Sequence, residues 1–238
     1  MLLPHSVITI SLVTALLPHL SDLAIDKKFT EVHDQLVRAI RLVGIFTVPS
    51  ACALVLFGTL ITRTLFFGIS NADAQYIGFV LAGFALGLMP MSVNLIALRG
   101  LNAFENVKLQ VLSNFIMNVL GSVAAIALAM TLSPKWVTVG LAGALSLSYF
   151  IGAWTTVRLL RRYGIFIKLS EISGLYLRLA GIFLVIALPL RLALRFIPGG
   201  NTLHLVVVLV IAGLGYVGAA RVFKIEEVGS AFKLLLRR

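Results

Sequence analysis

The residues of this sequence that could do chemistry are mostly neutral, and they are scattered through apolar stretches rather than gathered into a reacting centre. His5 and Thr9 stand four apart, so on a helix they share a face, with Ser6 and Ser11 close by. Such a face offers hydrogen bonds and one imidazole, which suits holding a polar solute rather than bond-making. The same hydroxyls could instead bond back to helix carbonyls and aid packing, with His5 an interfacial residue. Asn114 and Asn118 repeat the four-residue spacing. Hydrocarbon cannot satisfy their amides, so they are expected to face other helices, as interhelical bonds or as cavity wall. Asn94, near Pro90, reads the same way, and Pro90 is expected to kink its helix. Arg99 and Arg191 each close an apolar run. Each is either an interfacial anchor or a contact for an anionic headgroup.

Other chemistries find no residues. There is no phosphate-cradling glycine loop, metal-ligand cluster or nucleophile–base pattern, so no cofactor, metal or enzymatic activity is expected. The nine acidic residues fall in loops or at their edges, which argues against a proton relay buried in a helix. The lone Cys52 cannot form an internal disulfide.

The elements that carry these residues are membrane helices. The sequence is 60% hydrophobic and 12% charged, with a mean hydropathy of +1.04. A soluble domain of this length has too little core to hide so much apolar surface. In lipid, uninterrupted apolar runs mean helices, and the alternation of a barrel strand is absent. Seven runs are expected to span: Leu2–Leu20, Ala39–Ile61, Tyr76–Leu98, Leu109–Thr131, Trp136–Val157, Leu175–Phe196 and Leu203–Val222. Small residues at Gly83 and Gly87 permit close helix approach. The fold class is therefore an all-α polytopic bundle over residues 1–224, followed by a basic amphipathic tail over 225–238 for the membrane surface.

Charge orients the bundle. Sixteen of the 20 Lys and Arg fall on one side of the seven spans, and Arg63, Lys135, Arg191 and Arg195 on the other. The positive-inside rule then places the C-terminus in the cytoplasm and Met1 outside. The net charge of +11 serves this purpose rather than nucleic acid, since no basic run is interleaved with aromatics on a soluble face. The Ser21–Val37 segment reads as a solvated cytoplasmic loop. An external start without a charged n-region or cleavage site reads like the C-terminal part of a longer membrane protein.

Several segments carry a resemblance. Leu3-Pro4-His5-Ser6, then Thr14-Ala15-Leu16-Leu17-Pro18-His19-Leu20-Ser21, resembles the Leu-Pro-x-Gly to Pro-x-Leu-Ser segment of the MviN/MurJ family of lipid II flippases. Arg41-Leu42 with Pro49-Ser50-Ala51, Leu65-Phe66-Phe67-Gly68 and Arg99-Gly100-Leu101-Asn102-Ala103 are similar to later family elements. The match in register runs from Leu3 to about Lys108, and the whole looks like family helices eight to fourteen. The family's Ala-Asp-Arg element, whose arginine belongs to a cationic cavity, would precede Leu3. Leu101-Asn102 stands for the family's aromatic pair, and Leu109-Gln110 for its Thr-Pro.

The resemblance implies part of an exporter of undecaprenyl-linked peptidoglycan precursor in the cytoplasmic membrane, working by alternating access beside membrane lipids. A separate chain supplying the N-terminal lobe is a possible partner, and these residues alone are expected not to flip lipid. The other class of reading is a non-transporting scaffold or permease subunit from a split or truncated gene.

Overall fold

The structure is a computed structural model that describes residues 20–194, 196 and 199–223. With no water in the bilayer core, each apolar run closes its own backbone hydrogen bonds as a helix. The helices are α1 (Phe29–Leu65), α2 (Asn71–Ala103), α3 (Val107–Thr131), α4 (Val137–Leu160), α5 (Leu169–Ala193) and α6 (Asn201–Val222). Residues 20–25 are helical as well. No strand occurs among the described residues, and six helices are long and apolar enough to cross a membrane. They answer to the last six expected spans. The first span, with His5, Ser6, Thr9 and Ser11, lies outside the described residues except for Leu20, and so does the tail 225–238.

One expectation is corrected. Most of the Ser21–Val37 loop is helical, because α1 begins at Phe29. At about 1.5 Å per residue, its 37 residues reach far beyond a core of about 30 Å. The extension is amphipathic. Val32, Leu36 and Ile40 recur every four residues and are buried, while Glu31, Asp34 and Arg38 point to solvent. Averaged hydropathy reads such a stretch as polar, although one face of it belongs to the core. The acidic side chains are solvated as expected.

Local chemistry sets the boundaries. Ser70 caps α2 by accepting from the Asp73 N–H at 3.1 Å, and Asn106 caps α3 by accepting from the Leu109 N–H at 3.2 Å. Gly68 (φ 81°) and Gly164 (φ 75°) supply left-handed turn residues after α1 and α4, a conformation that costs glycine little.

The helices pack in the order α3, α4, α2, α1, α5, α6, so α2 and α1 are central and α3 and α6 are peripheral. A short 3₁₀ turn, Arg161–Tyr163, starts the crossing from α4 to the far side, where α5 lies on α1. At the α2–α4 seam, Gly83 faces Ala142 and Gly87 faces Ser146. This is the close approach the glycine spacing predicts. Ser146 Oγ donates to the Gly83 carbonyl at 2.6 Å across the same seam.

Two tyrosines tie α5 and α6 to α1. Pro49 lacks an N–H, which leaves the Ile45 carbonyl one turn earlier without its helical donor. Tyr216 on α6 donates its hydroxyl to that carbonyl at 2.8 Å. Tyr176 on α5 donates to the Ile40 carbonyl at 2.9 Å. Its ring lies over Gly44, where any Cβ would collide with it.

Aromatic clusters mark both ends of the bundle. Phe29, Phe104 and Tyr163 group at the end rich in Lys and Arg, with Phe104 and Tyr163 stacked at 4.1 Å. Tyr76, Phe79 and Trp136 group at the other end. Paired aromatic belts suit the two membrane–water interfaces.

Candidate functional site

The polar residues within the spans separate into a closed seam and open positions. In the seam, Asn94 of α2, Thr156 of α4 and Ser113 of α3 form one buried chain. Thr156 Oγ1 donates to Asn94 Oδ1 at 2.8 Å. That uses the only hydroxyl proton of Thr156, so Ser113 Oγ donates to Thr156 Oγ1, at 2.6 Å. The Asn94 amide reaches Met117 Sδ at 3.6 Å. The chain joins three helices and leaves almost none of these groups open, so Asn94 serves as interhelical glue rather than cavity wall.

Asn114 and Asn118 are not part of this seam. Asn118 is exposed, and its amide donates to the Asn114 carbonyl at 2.8 Å on its own helix. The expected bond across helices is therefore not made among the described residues. Helix geometry gives the reason. The stripe of α3 that meets α4 runs Leu109, Ser113, Met117 and Gly121, and Asn114 is turned about 100° from it. Much of α3 is exposed, including Phe115, Leu120 and Met130, so the Asn114/Asn118 edge borders an open face.

The two arginines differ. Arg99 lies near the end of α2 rich in Lys and Arg, half-buried, and its Nε has neither solvent nor an acceptor. Arg191, in the last turn of α5, shares a cleft at the opposite end with Arg63 of α1 and His204 of α6. The structure thus brings Arg191 to other polar groups. Asn114 and Asn118 meet only each other, within one helix turn, and among the described residues neither is brought to Arg99 or Arg191.

Some contacts had little sequence signal. His33 Nε2 lies 3.2 Å from Glu171 Oε2, joining the α1 extension to the start of α5. Ser113 and Thr156 look like ordinary small residues in their spans. Tyr216 had a usable signal: a hydroxyl within an apolar span needs an acceptor, and Pro49 leaves one free. Among the described residues, no group of three His, Cys, Asp or Glu side chains could hold a metal.

Three comparisons bear on these features. A family model, described as lipid II flippase MurJ, matches residues 1–211. No curated protein matches the sequence. The fold is similar to a solved structure titled lipid II flippase MurJ, inward closed conformation, with a TM-score of 0.70 and 22% identity. The match covers 94% of this chain and 45% of that one, so the chain spans about half the length of the solved relative. At that identity the likeness shows a common helical arrangement.

Proposed function

The chain belongs to the MurJ family of lipid II flippases, and from that premise we propose that it forms the C-terminal lobe of an exporter of lipid-linked peptidoglycan precursor. The family match over residues 1–211 carries the reading. The cargo, an undecaprenyl-linked sugar pyrophosphate, moves from the inner to the outer leaflet of the cytoplasmic membrane without covalent chemistry. Alternating access needs lobes that move as units about a polar pathway. The α2–α4 seam, locked by Gly83, Gly87, Ser146 and the Asn94–Thr156–Ser113 chain, supports such a unit. A second lobe, from a separate chain or a preceding segment, completes the pathway.

The orientation belongs to the same proposal. The end rich in Lys and Arg, where α1 starts and α2 and α4 finish, faces the cytoplasm. With Cys52 replaced by serine, an impermeant maleimide added to intact cells is expected to label Ala72→Cys and spare Thr30→Cys. The opposite pattern overturns the orientation.

The pathway wall on this lobe is the His5/Thr9 face, with Ser6 and Ser11. A span facing lipid on all sides gains nothing from these groups, and each one unsatisfied costs several kcal/mol. Facing a wet cavity, they cost little. Within the assembled transporter, Thr9→Trp is expected to cut precursor exposure at the outer leaflet severalfold, with Leu12→Trp near wild type. Equal transport by both, at matched protein levels, rules out the cavity assignment.

A further inference from the structure

We propose that the cleft between the last turns of α1 and α5 and the first turn of α6 is a binding site for a phosphate-bearing anion. The cleft holds about 230 Å³ and is lined by Arg63, Arg191, Asn201 and His204, against an apolar wall that includes Phe57 and Leu60. It lies at the end of the bundle with few cations. Two of the four Lys and Arg expected on that side line this one cleft.

A simpler account covers each arginine alone. A cation in the last turn of a helix meets the negative end of its dipole, and a long side chain snorkels to the interface. That account does not bring two guanidinium groups from different helices to one cleft, where they repel. Among the described residues, no Asp or Glu lines the cleft to offset them. Neither arginine has an ion pair among the described residues. Arg63 Nε has lost its solvent and gained no acceptor, a loss that an arriving acceptor reverses. The α6 terminus adds to the same sign. The N–H of His204 bonds the Gly200 carbonyl, so the three preceding amides of α6 lie ahead of its ladder, at the positive end of the helix.

The chemistry of the ligand follows from these parts. Paired guanidinium forks match the oxygens of a phosphate better than a halide or a single carboxylate. The volume equals several waters at about 30 Å³ each, enough for a phosphate and its ester linkage. The apolar wall of Leu56, Phe57, Leu60 and Leu194 suits carbon chains attached to that phosphate. The same site takes a free phosphate or pyrophosphate by its head alone. The proposal stands apart from the flippase reading, since it concerns binding at one end of the bundle and not passage through it.

The test is binding by the purified full chain in nanodiscs of phosphatidylcholine. One arm adds inorganic pyrophosphate, and the other replaces part of the lipid with phosphatidylglycerol. The readout is the midpoint of thermal unfolding as each probe is titrated. Saturable stabilisation is expected in at least one arm. The phosphatidylglycerol arm alone assigns the site to a lipid headgroup, and the pyrophosphate arm extends it to a soluble anion. Arg63→Gln and Arg191→Gln are each expected to weaken binding about tenfold, as losing a charged hydrogen-bonding group does. Lys135→Gln, at the same end but outside the cleft, leaves binding unchanged. Arg63→Lys and Arg191→Lys keep the charge and the fold while losing the fork, and are expected to bind more weakly than wild type. No stabilisation in either arm, or stabilisation that survives the Arg63→Gln/Arg191→Gln double variant, overturns the proposal.

Discussion

Gly87→Leu is expected to leave little or no folded protein recoverable from the membrane, while Gly143→Ala behaves like wild type. A Cβ built on Gly87 lies 2.7 Å from Ser146 Oγ and 3.0 Å from Ser146 Cα. The hydroxyl can rotate, but the backbone atom moves only if α4 moves. Ser146 is also engaged with the Gly83 carbonyl at 2.6 Å, so rotating it breaks that bond. At Gly83 a Cβ meets the Ala142 Cβ at 3.0 Å, so the contact is tight over a full helical turn. In lipid, helices associate through close packing and interhelical hydrogen bonds rather than hydrophobic burial, and separating the seam loses both. Adding a methylene or two to a packed contact costs about 1–3 kcal/mol, and leucine adds a whole isobutyl group against backbone, several times that load. A single domain has about 5–15 kcal/mol in reserve. Opening the seam also strains the Asn94–Thr156–Ser113 chain that joins α2 and α3 through α4. A Cβ on Gly143 meets nothing within 4 Å, which makes it the control on the facing helix, α4. The measurements are the monodisperse fraction after extraction and the thermal midpoint. Wild-type values for Gly87→Leu contradict the seam.

That seam was half legible in sequence. Gly83 and Gly87 announce close approach by their spacing, and Asn94 announces a partner because an amide within an apolar span must find one. The partners themselves were not legible. Ser113 and Thr156 satisfy Asn94 from two other helices, and a span read by hydropathy has no faces. The same limit explains Asn118, whose spacing with Asn114 was plain but whose rotation away from α4 was not.

The spans themselves were legible because length and apolarity decide them, and six of the seven appear as described helices. Their ends were less so. The α1 extension is stabilised by a buried stripe at Val32, Leu36 and Ile40, and the polar residues between these dominate any averaged window. Arg191 was singled out by its place at the sparsely charged end. Its neighbour Arg63 comes from a distant helix, which only the packing of α5 against α1 brings close.

If this bundle is one lobe of a lipid II flippase, as proposed, it restores transport when the other lobe is supplied. The solved relative is about twice as long, since the match covers 45% of it. The experiment therefore joins the 238 residues in frame behind the N-terminal half of a MurJ flippase. The fusion is produced in cells depleted of their own flippase. Outer-leaflet lipid II is then read by its cleavage with a membrane-impermeant enzyme. The fusion is expected to restore both cleavage and growth, and the same fusion carrying Gly87→Leu neither. A wild-type fusion that inserts at matched levels and extracts as a monodisperse protein, yet leaves lipid II uncleaved and the cells unable to grow, would contradict it.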